Sequence, residues 1–94
     1  MRVYEEKEIR EKLASLEGWN YDGEMIRKTY EAASFNRGIG FVTQIAILAD
    51  TADHHPDLTI NYNKVGVSLG THSANGITDK DFDLAAKIET AFKE

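Results

Sequence analysis

Residues 58–71 constrain the fold of this chain more than any other stretch. Leu58, Ile60 and Tyr62 alternate with polar neighbours, as do Val65, Val67 and Leu69, and Asn63-Lys64 lies between the two runs. That is the pattern of a β-hairpin closed by a two-residue loop. With the loop at Asn63-Lys64, Tyr62 pairs with Val65, Ile60 with Val67 and Leu58 with Leu69. Continued past the strand ends, the same alignment sets His55 opposite His72. His54, His55 and His72 are all the histidines of the chain, and cysteine is absent. The side chains that titrate most readily near neutral pH are therefore expected together at the open end of one hairpin.

The rest of the chain supplies partners for that hairpin. Residues 5–16 place Ile9, Leu13 and Leu16 on one helical face, and Gly18 suits the stop. Glu6 with Arg10 and Glu8 with Lys12 are supportive pairs one turn apart. A strand over residues 19–22, a turn at Gly23-Glu24 and a strand over residues 25–33 follow; Ile26, Tyr30 and Ala32 form the dry face of the second, and Lys28 breaks the alternation. Ser34 caps a helix over Phe35–Ala52, which carries two apolar stripes: Phe35, Ile39, Val42, Ala46 and Ala49, then Phe41, Ile45, Leu48 and Ala52. Gly38 and Gly40 inside it each cost ~1 kcal/mol against alanine, which predicts a close helix contact. Thr78 caps a last helix, with Asp81 at its third position and Phe82, Ala85, Ile88 and Phe92 inward.

Joined by hairpins rather than crossovers, the strands should form an antiparallel sheet. The predicted class is α+β, a four-stranded antiparallel sheet with three helices packed on one face in the order α-β-β-α-β-β-α. One sheet face covers only one stripe of the long helix, so the second stripe and the sheet edges predict a homo-oligomer, a homodimer or homotetramer.

Ninety-four residues are expected to form a single domain, residues 1–94, whose active site is shallow or shared between subunits. A formal net charge of −5 without a Lys/Arg cluster argues against direct nucleic-acid contact. The lack of cysteine removes disulfides, thiolate catalysis and cysteine-type zinc sites. Neither a signal-like start nor a membrane-spanning apolar run is seen, so a soluble, cytoplasmic protein without membrane contact is expected.

Asp50, His54, His55, Pro56, Tyr62, His72 and Asp81, at these spacings, resemble the signature of the pterin-4a-carbinolamine dehydratases, also known as the dimerisation cofactor family. Residues 16–19, 35–42, 62–65 and 71–78 are similar to family segments as well. The resemblance implies the same α+β fold and removal of water from 4a-hydroxytetrahydrobiopterin, giving the quinonoid dihydropterin recycled for aromatic amino-acid hydroxylases. It implies no metal and no organic cofactor, since the pterin is the substrate. Carried over by position, His54, His55, His72 and Asp81 form the catalytic group: His54 and His72 transfer protons, His55 holds the pterin and Asp81 orients a histidine. An imidazole titrating near 6.5 serves as acid or base at cellular pH, for ~10²–10⁴-fold in rate. Asp50, Pro56, Thr71, Ser73 and Ala74 are the predicted substrate contacts. Asp50, four residues before His54 on a helix end, is placed to fix that ring's tautomer. Two departures stand out: Asp50 where the family often has Glu, and Leu58 where many members carry an aromatic.

Plainer readings compete with these. His54 and His55 could simply end the long helix before Pro56, and Asp81 is explained as a cap. Tyr62 reads as hairpin packing. Two other function classes also remain. One is a protein-binding module, because mammalian relatives stabilise the dimer of a homeodomain transcription factor. The other is a three-histidine metal site, disfavoured because adjacent histidines on a helix splay by ~100°.

Overall fold

The computed structural model describes residues 1–93. The chain runs α1 (Glu6–Leu13), β1 (Asn20–Tyr21), β2 (Ile26–Glu31), α2 (Phe35–Ala52), β3 (Asp57–Asn61), β4 (Lys64–Leu69) and α3 (Asp79–Lys93), with a 3-10 turn at His72–Ala74 before α3. The four strands form one antiparallel sheet in the order β1-β2-β4-β3. This is the α+β architecture predicted from the hydrophobic periods.

Local chemistry sets most of the boundaries. Glu5 and Glu8 close a capping box that starts α1, and Glu6 pairs with Arg10 at 3.0 Å. Glu8 pairs with Arg2 instead of Lys12. The helix stops at Leu13, earlier than its apolar spacing suggests, because Leu16 and Trp19 continue in single turns rather than a helical ladder. The first strand is also shorter than expected: Asp22 leaves it to accept the Glu24 and Met25 amides at 2.9 and 2.8 Å. Ser34 caps α2 through the Arg37 amide. At its far end Asp53, left-handed at φ 50°, stops the helix before the two histidines.

The core lies between the sheet and the helices. Ile26, Tyr30, Val65, Val67 and Leu69 face Ile9, Leu13, Phe41, Ile45, Leu84 and Ile88. Tyr30, Phe41 and Phe92 pack edge-to-face or tilted with centroids 4.7–5.0 Å apart, an arrangement that adds to their area burial. Lys28, the residue that broke the alternation, does point inward. Its ammonium meets the Glu89 carboxylate and the Glu17 carbonyl and lies 4.6 Å from the Tyr30 ring centroid. Glu89 also accepts Trp19 Nε1–H and the Tyr30 hydroxyl. Burial first, and then the bond to Glu89, push the Tyr30 hydroxyl well above its ordinary pKa.

Two expectations need correction. The hairpin loop is Tyr62-Asn63, not Asn63-Lys64, so Ile60 pairs with Val65 and Leu58 with Val67. Ile60 therefore does not oppose Val67, and Leu58 does not oppose Leu69. The cause is tertiary: Asn63 donates from Nδ2 to the Ala32 carbonyl, and the Ala32 amide donates to the Asn63 carbonyl, both at 2.8 Å. That clamp holds Asn63 against the end of β2 and leaves Tyr62 at φ 55°. Because the pairing shifts by two, every side chain keeps its face.

The second correction concerns α2. Its inward stripe is Gly38, Phe41, Ile45 and Ala49, which mixes members of both predicted stripes, while Phe35, Ile39 and Ile47 are exposed. The close contact at Gly38 is within the chain, since an added Cβ would lie 3.6 Å from Val65 and 3.7 Å from Ala32; at Gly40 it would meet nothing. Across the sheet, an added Cβ on Gly66 would collide with the Thr59 hydroxyl and force that side chain into another rotamer.

Candidate active site

Past the left-handed Asp53, the backbone drops from the end of α2 to the start of β3, and His54 and His55 occupy the descent. The His54 amide still donates to the Ala49 carbonyl at 3.1 Å. From the other side, β4 delivers Gly70 and Thr71, the loop turns through His72 and Ser73, and a bridge between Thr71 and Gly76 closes it. The result is a hollow of about 270 Å³ at the open end of the β3–β4 hairpin. His54, His55, His72, Thr71 and Ser73 line it; so do Asp53, Gly70 and Lys80.

Behind the hollow lies a buried polar cluster. Asp81 is fully buried, and His54 Nε2 lies 2.6 Å from its Oδ1. Its Oδ2 accepts the Thr71 hydroxyl at 2.8 Å and the Thr78 amide at 3.0 Å. Because Thr71 spends its only hydroxyl proton on Asp81, the 2.8 Å contact between Thr71 and Thr78 Oγ1 must be donated by Thr78. Thr78 Oγ1 accepts in turn from the Lys80 amide at 3.3 Å. All these donors point toward the carboxylate, which takes Nε2–H from His54 and so fixes its tautomer. Nδ1 of His54 has no partner among the described residues and is not sealed from solvent. Three hydrogen bonds thus satisfy both oxygens of this buried acid, as burial of a polar group requires.

Asp50 serves a different ring from the one expected. Its Oδ1 lies 2.9 Å from His55 Nε2, not from His54. Helical spacing would have aligned Asp50 with His54, but the left-handed turn at Asp53 ends the helix and rotates His54 toward Asp81. His72 is exposed at the crest of its loop. Pro56 and Ala74 flank the hollow in sequence without lining it, and Asp50 reaches it only through His55. Lys80, Gly70 and Asp53 were not singled out from the sequence. Lys80 could have been: it immediately precedes Asp81 in the first turn of α3, where a residue flanking the buried acid faces the same hollow. Leu58, the departure from the family pattern, is partly buried on the helix side of β3.

The sequence pattern that defines the family described as pterin 4 alpha carbinolamine dehydratase matches residues 2–91. The chain belongs to that family. It is similar to a protein of Roseiflexus castenholzii, 52% identical over 82 residues that cover 87% of this chain and 88% of the relative. It also resembles one of Sulfolobus acidocaldarius, 45% identical over 84 residues that cover 89% and 92%. Both relatives are named provisionally as pterin-4-alpha-carbinolamine dehydratases. A crystal structure of a transcriptional coactivator/pterin dehydratase from Brucella melitensis superposes with a TM-score of 0.91 at 38% identity, covering 97% of this chain and 99% of that one. As a pterin-4a-carbinolamine dehydratase family member, the chain is an enzyme of the lyase class. Among its described residues no helix is long and apolar enough to cross a membrane.

Proposed function

We propose that the chain removes water from 4a-hydroxytetrahydrobiopterin and that its histidines carry the protons. The observation that carries this reading is the His54–Asp81 pair, with Nε2 held by a buried acid in a ring that lines the hollow. In the reaction the C4a–O bond breaks, the proton on N5 leaves, and a C4a=N5 double bond forms as water departs. The N5 lone pair drives out the hydroxyl, so two proton transfers are all that the protein must supply. His54 Nδ1 takes the N5 proton, and Asp81 stabilises the resulting imidazolium. His72 protonates the departing oxygen, and His55, held by Asp50, contacts the pterin ring. Ser73 offers its hydroxyl to the amino-oxo pyrimidine end, and Thr71, its own hydroxyl held between Asp81 and Thr78, shapes the wall beside it. No metal or organic cofactor takes part in this scheme. The product is the quinonoid dihydropterin that a reductase returns to aromatic amino-acid hydroxylases, and the setting that belongs to this proposal is the cytoplasm.

Stopped-flow dehydration of a freshly generated 4a-hydroxytetrahydropterin tests the reading. Acceleration by the protein, lost in His54→Ala and His72→Ala while the fold persists, is the expected result; full activity in both variants would refute it. Assembly into a homodimer or homotetramer belongs to the same proposal. Phe35, Ile39 and Ile47 are 50%, 37% and 62% exposed on α2, more apolar surface than one helix usually leaves in water. Ile39→Glu should lower the mass measured by light scattering, and a monomeric parent protein would remove this part of the proposal.

A further inference from the structure

The three histidines of the hollow are not held alike. His54 is fixed by Asp81 and His55 by Asp50, whereas the His72 side chain has no hydrogen-bond partner among the described residues. The backbone of residues 71–76 alone decides where that exposed imidazole stands. This loop is closed on itself, the Thr71 amide bonding the Gly76 carbonyl at 2.9 Å and the Asn75 amide the His72 carbonyl at 3.1 Å. Past Gly76 the chain leaves through Ile77 and Thr78 into α3, and there the segment that precedes α1 lies against it.

Tyr4 grips this exit at three points. Its amide donates to the Ile77 carbonyl at 2.9 Å, its hydroxyl donates to Asp79 Oδ1, and its ring packs edge-to-face with Phe82, centroids 5.4 Å apart. The Val3 side chain lies against Gly76, the last residue of the loop. We propose that Tyr4 is a positioning residue for the dehydration: it holds the base of the loop and so the place of His72, without touching the substrate. The inference rests on the dehydratase reading.

Tyr4 is itself well anchored. The Arg2 guanidinium lies 4.3 Å and the Lys12 ammonium 5.3 Å from its ring centroid, both within cation–π range. Arg2 also pairs with Glu8, and the capping box of Glu5 and Glu8 begins α1 directly after Tyr4. The first helix is thereby joined to the loop that carries a reacting group. The bond to Asp79 raises the Tyr4 hydroxyl above its ordinary 10, so this link keeps its proton across the neutral range.

The two catalytic histidines should depend on Tyr4 to different degrees. Asp81, one turn into α3, has its own anchors in His54, Thr71 and Thr78. His72 has only the loop. Loosening the base of that loop therefore disturbs His72 first and leaves the His54–Asp81 pair in place.

That difference separates positioning from general stability, and the chain's three histidines allow it to be read directly. Long-range ¹H–¹⁵N NMR resolves each imidazole, with signals assigned from the single His→Ala variants. In Tyr4→Ala, kcat for a 4a-hydroxytetrahydropterin should fall about tenfold or more, toward the ~10²-fold that a misplacement of 1 Å can cost, with KM little changed. The His72 signals should shift or broaden while those of His54 stay where they are. Tyr4→Phe keeps the ring and the bond to Ile77 and should recover part of the loss. If Tyr4→Ala does not fold, Tyr4→Phe and Asp79→Ala decide in its place, since each removes the hydroxyl–carboxylate link alone; both should lower kcat and shift His72. An unchanged kcat, or a fall in kcat with equal shifts at His54 and His72, would overturn the inference and leave the dehydratase reading intact. Failure of the parent protein to accelerate dehydration would overturn that reading and this inference with it.

Discussion

The site holds two histidine–aspartate pairs of similar length that differ in almost everything else. His54 and Asp81 have side chains 10% and 0% exposed, whereas His55 and Asp50 are 58% and 80% exposed. Around the first pair, Thr71 and Thr78 supply further hydrogen bonds; around the second, water does. In a dry environment, removing one partner strands the other, which typically costs about 3–5 kcal/mol. In water, an exposed pair contributes about 0–1 kcal/mol. A distance near 3 Å therefore does not say what a contact is for. The buried pair is suited to hold a tautomer and an orientation, and the exposed pair to bias a side chain that still moves.

Asp81→Ala should show the largest effect and the sharpest contrast. Urea denaturation is expected to register a loss of about 3–5 kcal/mol, against less than about 1 kcal/mol for Asp50→Ala. Equal losses would erase the distinction. Next in size, His54→Ala should lower kcat by about 10²–10⁴-fold in the stopped-flow assay, while His55→Ala acts mainly on KM; a kcat defect of equal depth in His55→Ala would make the exposed ring a proton carrier too.

Glu89 separates the effect of burial from that of chemistry, because it is a largely buried acid away from the histidines. Burial alone would raise its carboxyl, but hydrogen bonds from Lys28 and Tyr30 and the charge of Lys28 together hold it below the ordinary 4.5. An acid that ionises more readily when folded contributes stability above its ordinary value and loses it as pH falls through the lowered one. Glu89→Gln should therefore flatten the acid side of the stability curve below about pH 4.5, measured by circular dichroism. The smallest effect is expected from salt. Raising NaCl to 1 M, where the screening length is ~3 Å, should leave little of the Asp50→Ala difference and most of the Asp81→Ala difference.

Most of the fold was legible because apolar period and capping residues agree locally: the bounds of α2 follow from Ser34 and from apolar residues recurring every three or four positions as far as Ala52, although its inward stripe does not. The hairpin register was not, because the Asn63–Ala32 clamp joins segments distant in sequence and overrides the preference of an Asn-Lys loop. In the site, the gathering of the three histidines could be read from hairpin geometry even with the loop misplaced, since a shift of two preserves which end is open. The partner of Asp50 could not. Its helical spacing pointed to His54, and only the left-handed Asp53 redirects it to His55. The places of Gly70 and Asp53 in the hollow depend on how the ends of β4 and α2 sit against the Thr71–Gly76 loop, a relation that no local pattern encodes.

That single left-handed residue has a further consequence. His54 and His55 are chemically identical neighbours, and what gives one a dry acid and the other a wet one is the point at which α2 ends. Lengthening the helix by one residue ahead of Asp53 would turn the point at which the chain leaves α2 by about 100°, carrying His54 away from Asp81 without altering either side chain. Helix length, rather than residue identity, decides which of the twins works in the interior.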